Sequence, residues 1–132
     1  MLVPYGVDNP MGRWPWMNWA LIAANVAVFY FEAFGGAIDL GVYGTVPANL
    51  HWWQPLTSAF LHANVIHLVG NMIFLWTFGN NVNDRMGHWR YLGAYLAFAY
   101  LSDLAHALLA TGLMAYVPCI GASGAIFGVV GT

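Results

Sequence analysis

Apolar residues run almost unbroken from Trp16 to Phe34, interrupted only by Asn18, Asn25 and Glu32. A stretch of that length predicts a membrane-crossing helix, because about 20 residues at a rise of about 1.5 Å each span the hydrocarbon of a bilayer. Two further runs, from about Asn64 to Phe78 and from Tyr91 to Leu113, predict a second and a third span. Asn64 stands where its side chain can cap the second helix. A fourth helix is predicted to start near Ala122 or Ser123. It is still apolar at Thr132 and by then too short to cross a bilayer. The expected fold class is all-α: a polytopic transmembrane bundle made of the first three helices and the start of a fourth.

The connections differ in character. Residues 1–15 hold Pro4, Pro10, Gly12 and Pro15 and read as an N-terminal loop. Residues 16–132 read as one membrane domain, incomplete at its end. The segment 35–61 is rich in turn formers, including Gly35, Gly36, Pro47 and Pro55, yet it also carries Trp52, Trp53 and Phe60. It is expected to lie in the membrane interface with short helical pieces. Residues 79–89 read as a polar turn and residues 112–121, with Pro118, as a short connection.

Composition sharpens this picture. Hydrophobic residues make up 61% of the 132 and charged residues 6%, against roughly 25% charged in a soluble domain. The mean hydropathy is +0.64. Lysine is absent, and a net charge of −2 offers no basic patch for nucleic acid. A single cysteine, Cys119, excludes an internal disulfide. No basic stretch with a short apolar core and cleavage site opens the chain, so no removable signal peptide is expected. Arg13 precedes the first span, and Arg85 and Arg90 follow the second. Two spans separate these groups, so the positive-inside rule puts both, and the N-terminus, in the cytoplasm. The 35–61 segment, the 112–121 connection and Ser123 then face outward.

Candidate chemistry rests on polar residues in or near the spans, where a charged group costs about 2.5–3.5 kcal/mol at mid-helix. Gly121-Ala122-Ser123-Gly124 opens a helix, where backbone N–H groups lack internal acceptors. A serine there suits a nucleophile whose own N–H helps hold an oxyanion. The same tetrapeptide suits close helix packing, with Gly124 and Gly128 as a small-residue face. The Gly-x-Ser-x-Gly pattern of the hydrolase elbow is missing, since residue 125 is Ala125. His67 and Asn71, at i and i+4, share one helix face. They form either a pair of neutral oxyanion donors or an interhelical polar clamp, and His62 precedes them closely. Asp103 and His106 share a face of the third helix. They suit a structural pair better than a proton-relay or transport site. Cys119 has no basic neighbour in sequence and reads as a packing thiol. The five histidines, His51, His62, His67, His88 and His106, show no His-x-x-x-His spacing. No metal or cofactor is therefore expected.

Taken in order, Trp53-Gln54-Pro55-Leu56-Thr57-Ser58-Ala59-Phe60-Leu61-His62, then His67-Leu68-Val69-Gly70-Asn71, Phe78-Gly79, Arg85-Met86-Gly87 and Gly121-Ala122-Ser123-Gly124-Ala125-Ile126-Phe127-Gly128 closely resemble the rhomboid family of intramembrane serine proteases. The resemblance covers roughly residues 16–132. It implies a six-helix bundle that cuts the transmembrane segments of other membrane proteins. Ser123 matches the nucleophile, and His67 and Asn71 match the side-chain oxyanion donors. Residues 35–61 match the half-sunk first loop. The family's base is a histidine on the sixth helix, and none of the histidines here occupies that role. The 132 residues alone are therefore expected to be inactive, with activity belonging to a longer parent. A pseudoprotease that binds membrane clients without cutting them is the alternative. Asn83 stands where the family often has Glu, Gln54 where Arg is common, and Asp103 is unusual.

Overall fold

The apolar run after Pro15 folds as one helix, α1 (Trp16–Phe34), in the computed structural model, which describes residues 12–36 and 38–131. These bounds are those the hydropathy pattern predicts. In hydrocarbon a backbone must satisfy its own hydrogen bonds, so a long apolar run has no alternative to a helix. Of the expected N-terminal loop, residues 12–15 are non-helical and the rest lies outside the described residues.

The 35–61 segment folds into short pieces: α2 (Leu40–Tyr43), a 3-10 turn at Pro47–Asn49, α3 (Gln54–Thr57) and a second 3-10 turn at Ser58–Phe60. Buried Gln54 organises them. Its Oε1 accepts the His51 N–H at 3.0 Å, and its Nε2 donates to the Val42 carbonyl at 3.2 Å. Thr57 Oγ1 donates to the Tyr43 carbonyl at 2.5 Å. An apolar loop thus satisfies its backbone from within.

The chain then bends by 94° into α4 (Val65–Phe74). Asn64 caps it as expected, its side chain accepting the His67 N–H at 2.8 Å. The second span does not stop at Phe78. It passes through a π turn at Leu75–Gly79 and continues as α5 (Asn80–Met86), so the polar turn expected at 79–89 is largely helix. The reason is a partner from α1. Asn18, fully buried, donates from Nδ2 to the Leu75 carbonyl and to Asn80 Oδ1, both at 2.8 Å. Asn83 Oδ1 accepts the Asn18 N–H at 3.0 Å, and the Tyr91 hydroxyl donates to Asn18 Oδ1 at 2.6 Å. Asparagines that look like a turn are an interior polar seam, and the seam supplies a donor to the Leu75 carbonyl within the π turn.

The third span, α6 (His88–Leu109), starts three residues before the expected Tyr91 and ends four before Leu113. Gly87, at φ +82°, makes the sharp turn ahead of it. A 3-10 turn at Gly112–Tyr116 follows, and α7 (Ser123–Val130) is the start of the fourth helix. Tyr91, Tyr95, Ala99 and Asp103 form the buried face of α6, one every four residues. Met17 and Leu21 of α1, Leu75, and Ala125, Ile126 and Val129 of α7 complete the core. Large apolar side chains such as Phe34, Ile66 and Leu108 point outward, while Asn18, Asn25, Asn71 and Asn83 are buried. That is the arrangement of a bundle solvated by lipid. α1 and α6 are each long and apolar enough to cross a membrane, and Val65–Met86, taken with Gln54–Phe60 across the bend, makes a third such unit. Gly12 and Arg13 donate their N–H groups to the Asp84 carboxylate at 3.0 and 2.7 Å, so the arginine-bearing segments share one end of the bundle.

Candidate active site

His67 and Asn71 project from the first two turns of α4, oriented by the Asn64 cap. Their i, i+4 spacing sets them on the same face. Asn71 is nine-tenths buried, and its Nδ2 finds no acceptor among the described residues. A buried amide donor left open is costly and calls for an explanation. His67 is half-buried. Its Nδ1 accepts the Ala63 N–H in a long bond of 3.5 Å. In the neutral ring this assigns the proton to Nε2.

Gly121 lies directly against that ring. A Cβ placed on Gly121 would stand 2.6 Å from His67 Cε1 and 3.0 Å from Nε2, and its φ of +117° belongs to glycine in any case. Gly121 donates its N–H to the Ser58 carbonyl at 2.9 Å. Two residues on, Ser123 opens α7. The first described intrahelical bond there runs from the Ile126 N–H to the Ala122 carbonyl, so the Ser123 N–H is free of the helix ladder. Ser123 is half-buried, and its hydroxyl makes no hydrogen bond to another described residue. α4 and α7 pack in contact. The two distant motifs meet: the His67 imidazole touches the turn that presents Ser123.

The packing role of the glycines is also real. A Cβ on Gly124 would strike Ser102 Oγ and Cβ, and one on Gly128 would strike Phe98. Gly124 and Gly128 therefore let α7 lie tight on α6, which leaves Ser123 as the polar member of the motif.

Three other residues find their places. His62 is fully buried at the bend before α4, its ring 5.2 Å from that of His67 and its backbone N–H donated to Glu32 Oε2 at 3.2 Å. Burial, then the neighbouring His67, push its pKa down to about 4. Asp103 does not pair with His106. Instead Thr45 Oγ1 donates to its Oδ2 at 2.6 Å, Ser58 Oγ donates to the same oxygen, and Cys119 Sγ approaches Oδ1 at 3.8 Å. The Cys119 thiol, half-buried, is pushed up to about 11 by burial and by that carboxylate, which makes it a poor nucleophile. Thr45 lies in no motif and Ser58 is visible only as one member of the Trp53–His62 run, and no local spacing could have tied either to a residue 45 or more positions away. Among the described residues no three His, Cys, Asp or Glu side chains converge as a metal site.

The Rhomboid domain family matches residues 49–132. The Rhomboid protease GluP of Bacillus subtilis is 32% identical over 125 residues, covering 89% of this chain and 24% of that protein. Rhomboid-like protein 11, chloroplastic, of Arabidopsis thaliana is 32% identical over 111 residues, covering 82% of this chain and 38% of that protein. The human Presenilin-associated rhomboid-like protein, mitochondrial, is 29% identical over 113 residues, or 83% of this chain and 30% of that protein. The chain thus spans well under half the length of these relatives. The family match covers the bend before α4, α4 itself, α6 and the Gly121–Ser123 turn, so the chain that brings His67 against this turn belongs to the rhomboid family and is an integral membrane protein.

Proposed function

We propose that this chain carries the nucleophile and oxyanion site of an intramembrane serine endopeptidase acting on transmembrane segments of other proteins. Ser123 Oγ attacks the scissile carbonyl. The oxyanion that forms is held by the His67 Nε2–H, the Asn71 Nδ2–H and the Ser123 N–H. A preorganised donor of this kind is worth about 3 kcal/mol in the transition state. The Ser123 proton goes to a histidine that the family resemblance puts on a sixth helix, outside these 132 residues. The single observation that carries the reading is the contact of the His67 ring with Gly121, two residues before Ser123. The open amide of Asn71 on the same helix face supports it, since an oxyanion would supply its missing acceptor. The N-terminus is cytoplasmic in this reading, and the site faces outward.

The test is covalent labelling of the full-length gene product by a fluorophosphonate probe in detergent or proteoliposomes. Wild type is expected to label and Ser123→Ala to stay unlabelled. Equal labelling of the two would remove Ser123 as nucleophile. No labelling of either would leave client binding without cleavage as the function.

A further inference from the structure

Asp103 lies near the C-terminal end of α6 and is 8% exposed. Among the described residues it forms no ion pair with an arginine or histidine. Its charge is met by hydroxyl and thiol dipoles alone, from Thr45, Ser58 and Cys119. These donors come from two separate segments, the loop between α1 and α4 and the connection between α6 and α7. The same segments are joined to each other. Thr45 and Cys119 exchange backbone hydrogen bonds at 3.0 and 2.8 Å. Ser58 has two attachments: its hydroxyl holds Asp103, and its carbonyl accepts the Gly121 N–H at 2.9 Å. From the Asp103 carboxylate to the residue touching His67 there are thus two hydrogen bonds and one residue in between.

We propose that Asp103 is a positioning residue, which holds the Thr45–Ser58 and Cys119–Gly121 segments on α6 and so sets the Ser123 turn against His67; the proposal rests on the reading of Ser123 as nucleophile. A carboxylate in a membrane bundle is expensive. A role limited to filling space is met more cheaply by an apolar side chain. What a carboxylate adds is acceptor capacity: two oxygens able to take hydrogen bonds from several donors at once. Loss of the Ser58 donor leaves its loop held by Thr45 alone, and loss of the carboxylate loosens both segments.

The experiment uses the full-length product with Asp103→Asn, Ser58→Ala and the conservative Ser58→Thr, which keeps the hydroxyl. Two readouts are taken. The first is alkylation of Cys119 by a neutral maleimide, followed by mass spectrometry, which needs no catalysis. In Asp103→Asn it is expected to rise about fivefold or more, as the thiol loses its anionic neighbour and its packing. The second is the split of kcat from KM on a transmembrane substrate, beside fluorophosphonate labelling. kcat and labelling rate are expected to fall about tenfold or more in Asp103→Asn and Ser58→Ala with KM within about twofold, because geometry at the reacting atoms is lost and substrate binding is not. Ser58→Thr is expected to restore most of the rate. Cys119 alkylation unchanged in Asp103→Asn overturns the proposal, as does a kcat within twofold of wild type. If Asp103→Asn fails to fold, Ser58→Ala against Ser58→Thr decides. If wild type labels no better than Ser123→Ala, the nucleophile reading fails by itself, and the alkylation arm still decides whether Asp103 holds the two segments.

Discussion

Gly121→Ala is the sharpest perturbation of the site, because it adds one methyl group at the point where the two motifs touch. That Cβ would stand 2.6 Å from His67 Cε1, whereas ordinary contact begins at 3.4 Å. The ring must therefore retreat by about 1 Å, the scale on which a misplaced catalytic group loses roughly 100-fold in rate. It cannot retreat freely, because Nδ1 is tied to Ala63 and the helix start is tied by the Asn64 cap. The φ of +117° adds backbone strain of about 1–3 kcal/mol for a residue with a Cβ. Two effects are expected together in Gly121→Ala: a fluorophosphonate labelling rate down by about two orders of magnitude, and a loss of about 1–3 kcal/mol in an SDS or thermal unfolding titration. A double-mutant cycle separates them. If the rate effect runs through His67, the labelling rate of Gly121→Ala combined with His67→Ala is close to that of His67→Ala alone. A Gly121→Ala protein that labels within twofold of wild type would refute the claim that His67 acts from this position. So would full additivity in the cycle.

The interior seam and the buried imidazole are each open to a direct test. Asn18→Leu removes three side-chain hydrogen bonds, to Leu75, Asn80 and Tyr91. At about 0.6 kcal/mol for a membrane-buried bond, it is expected to cost about 2 kcal/mol in unfolding while leaving Ser123 labelling per folded molecule unchanged; an unaltered unfolding midpoint would contradict the seam. His62 is held neutral by burial, its pKa down to about 4 against an ordinary 6.5. Between those values the unfolded chain binds a proton that the folded chain refuses. Stability is therefore full above about pH 6.5 and falls as pH drops toward 4. His62→Leu is expected to flatten that acid limb in unfolding measured from pH 7 to 4, and an unchanged slope would show that another group titrates.

The amino-acid sequence by itself determined those features whose causes act within a few residues. Hydropathy placed α1 at Trp16–Phe34, because lipid leaves an apolar run no option but to bond within itself. Asn64 marked the start of α4, and the small residues around Ser123 marked the start of α7, because caps and first turns are local chemistry. The candidate residues His67, Asn71 and Ser123 were legible because their spacing and order resemble a family. Only the tertiary structure decided what depends on partners far along the chain. Asn80 and Asn83 carry turn-like chemistry, and they are helical because Asn18, more than 60 positions away, gives them buried hydrogen bonds. Asp103 looked like the neighbour of His106, three residues along α6, but its donors come from Thr45, Ser58 and Cys119 on two loops. A polar side chain in a membrane bundle must find a partner somewhere. The sequence shows that need, and packing alone chooses the partner.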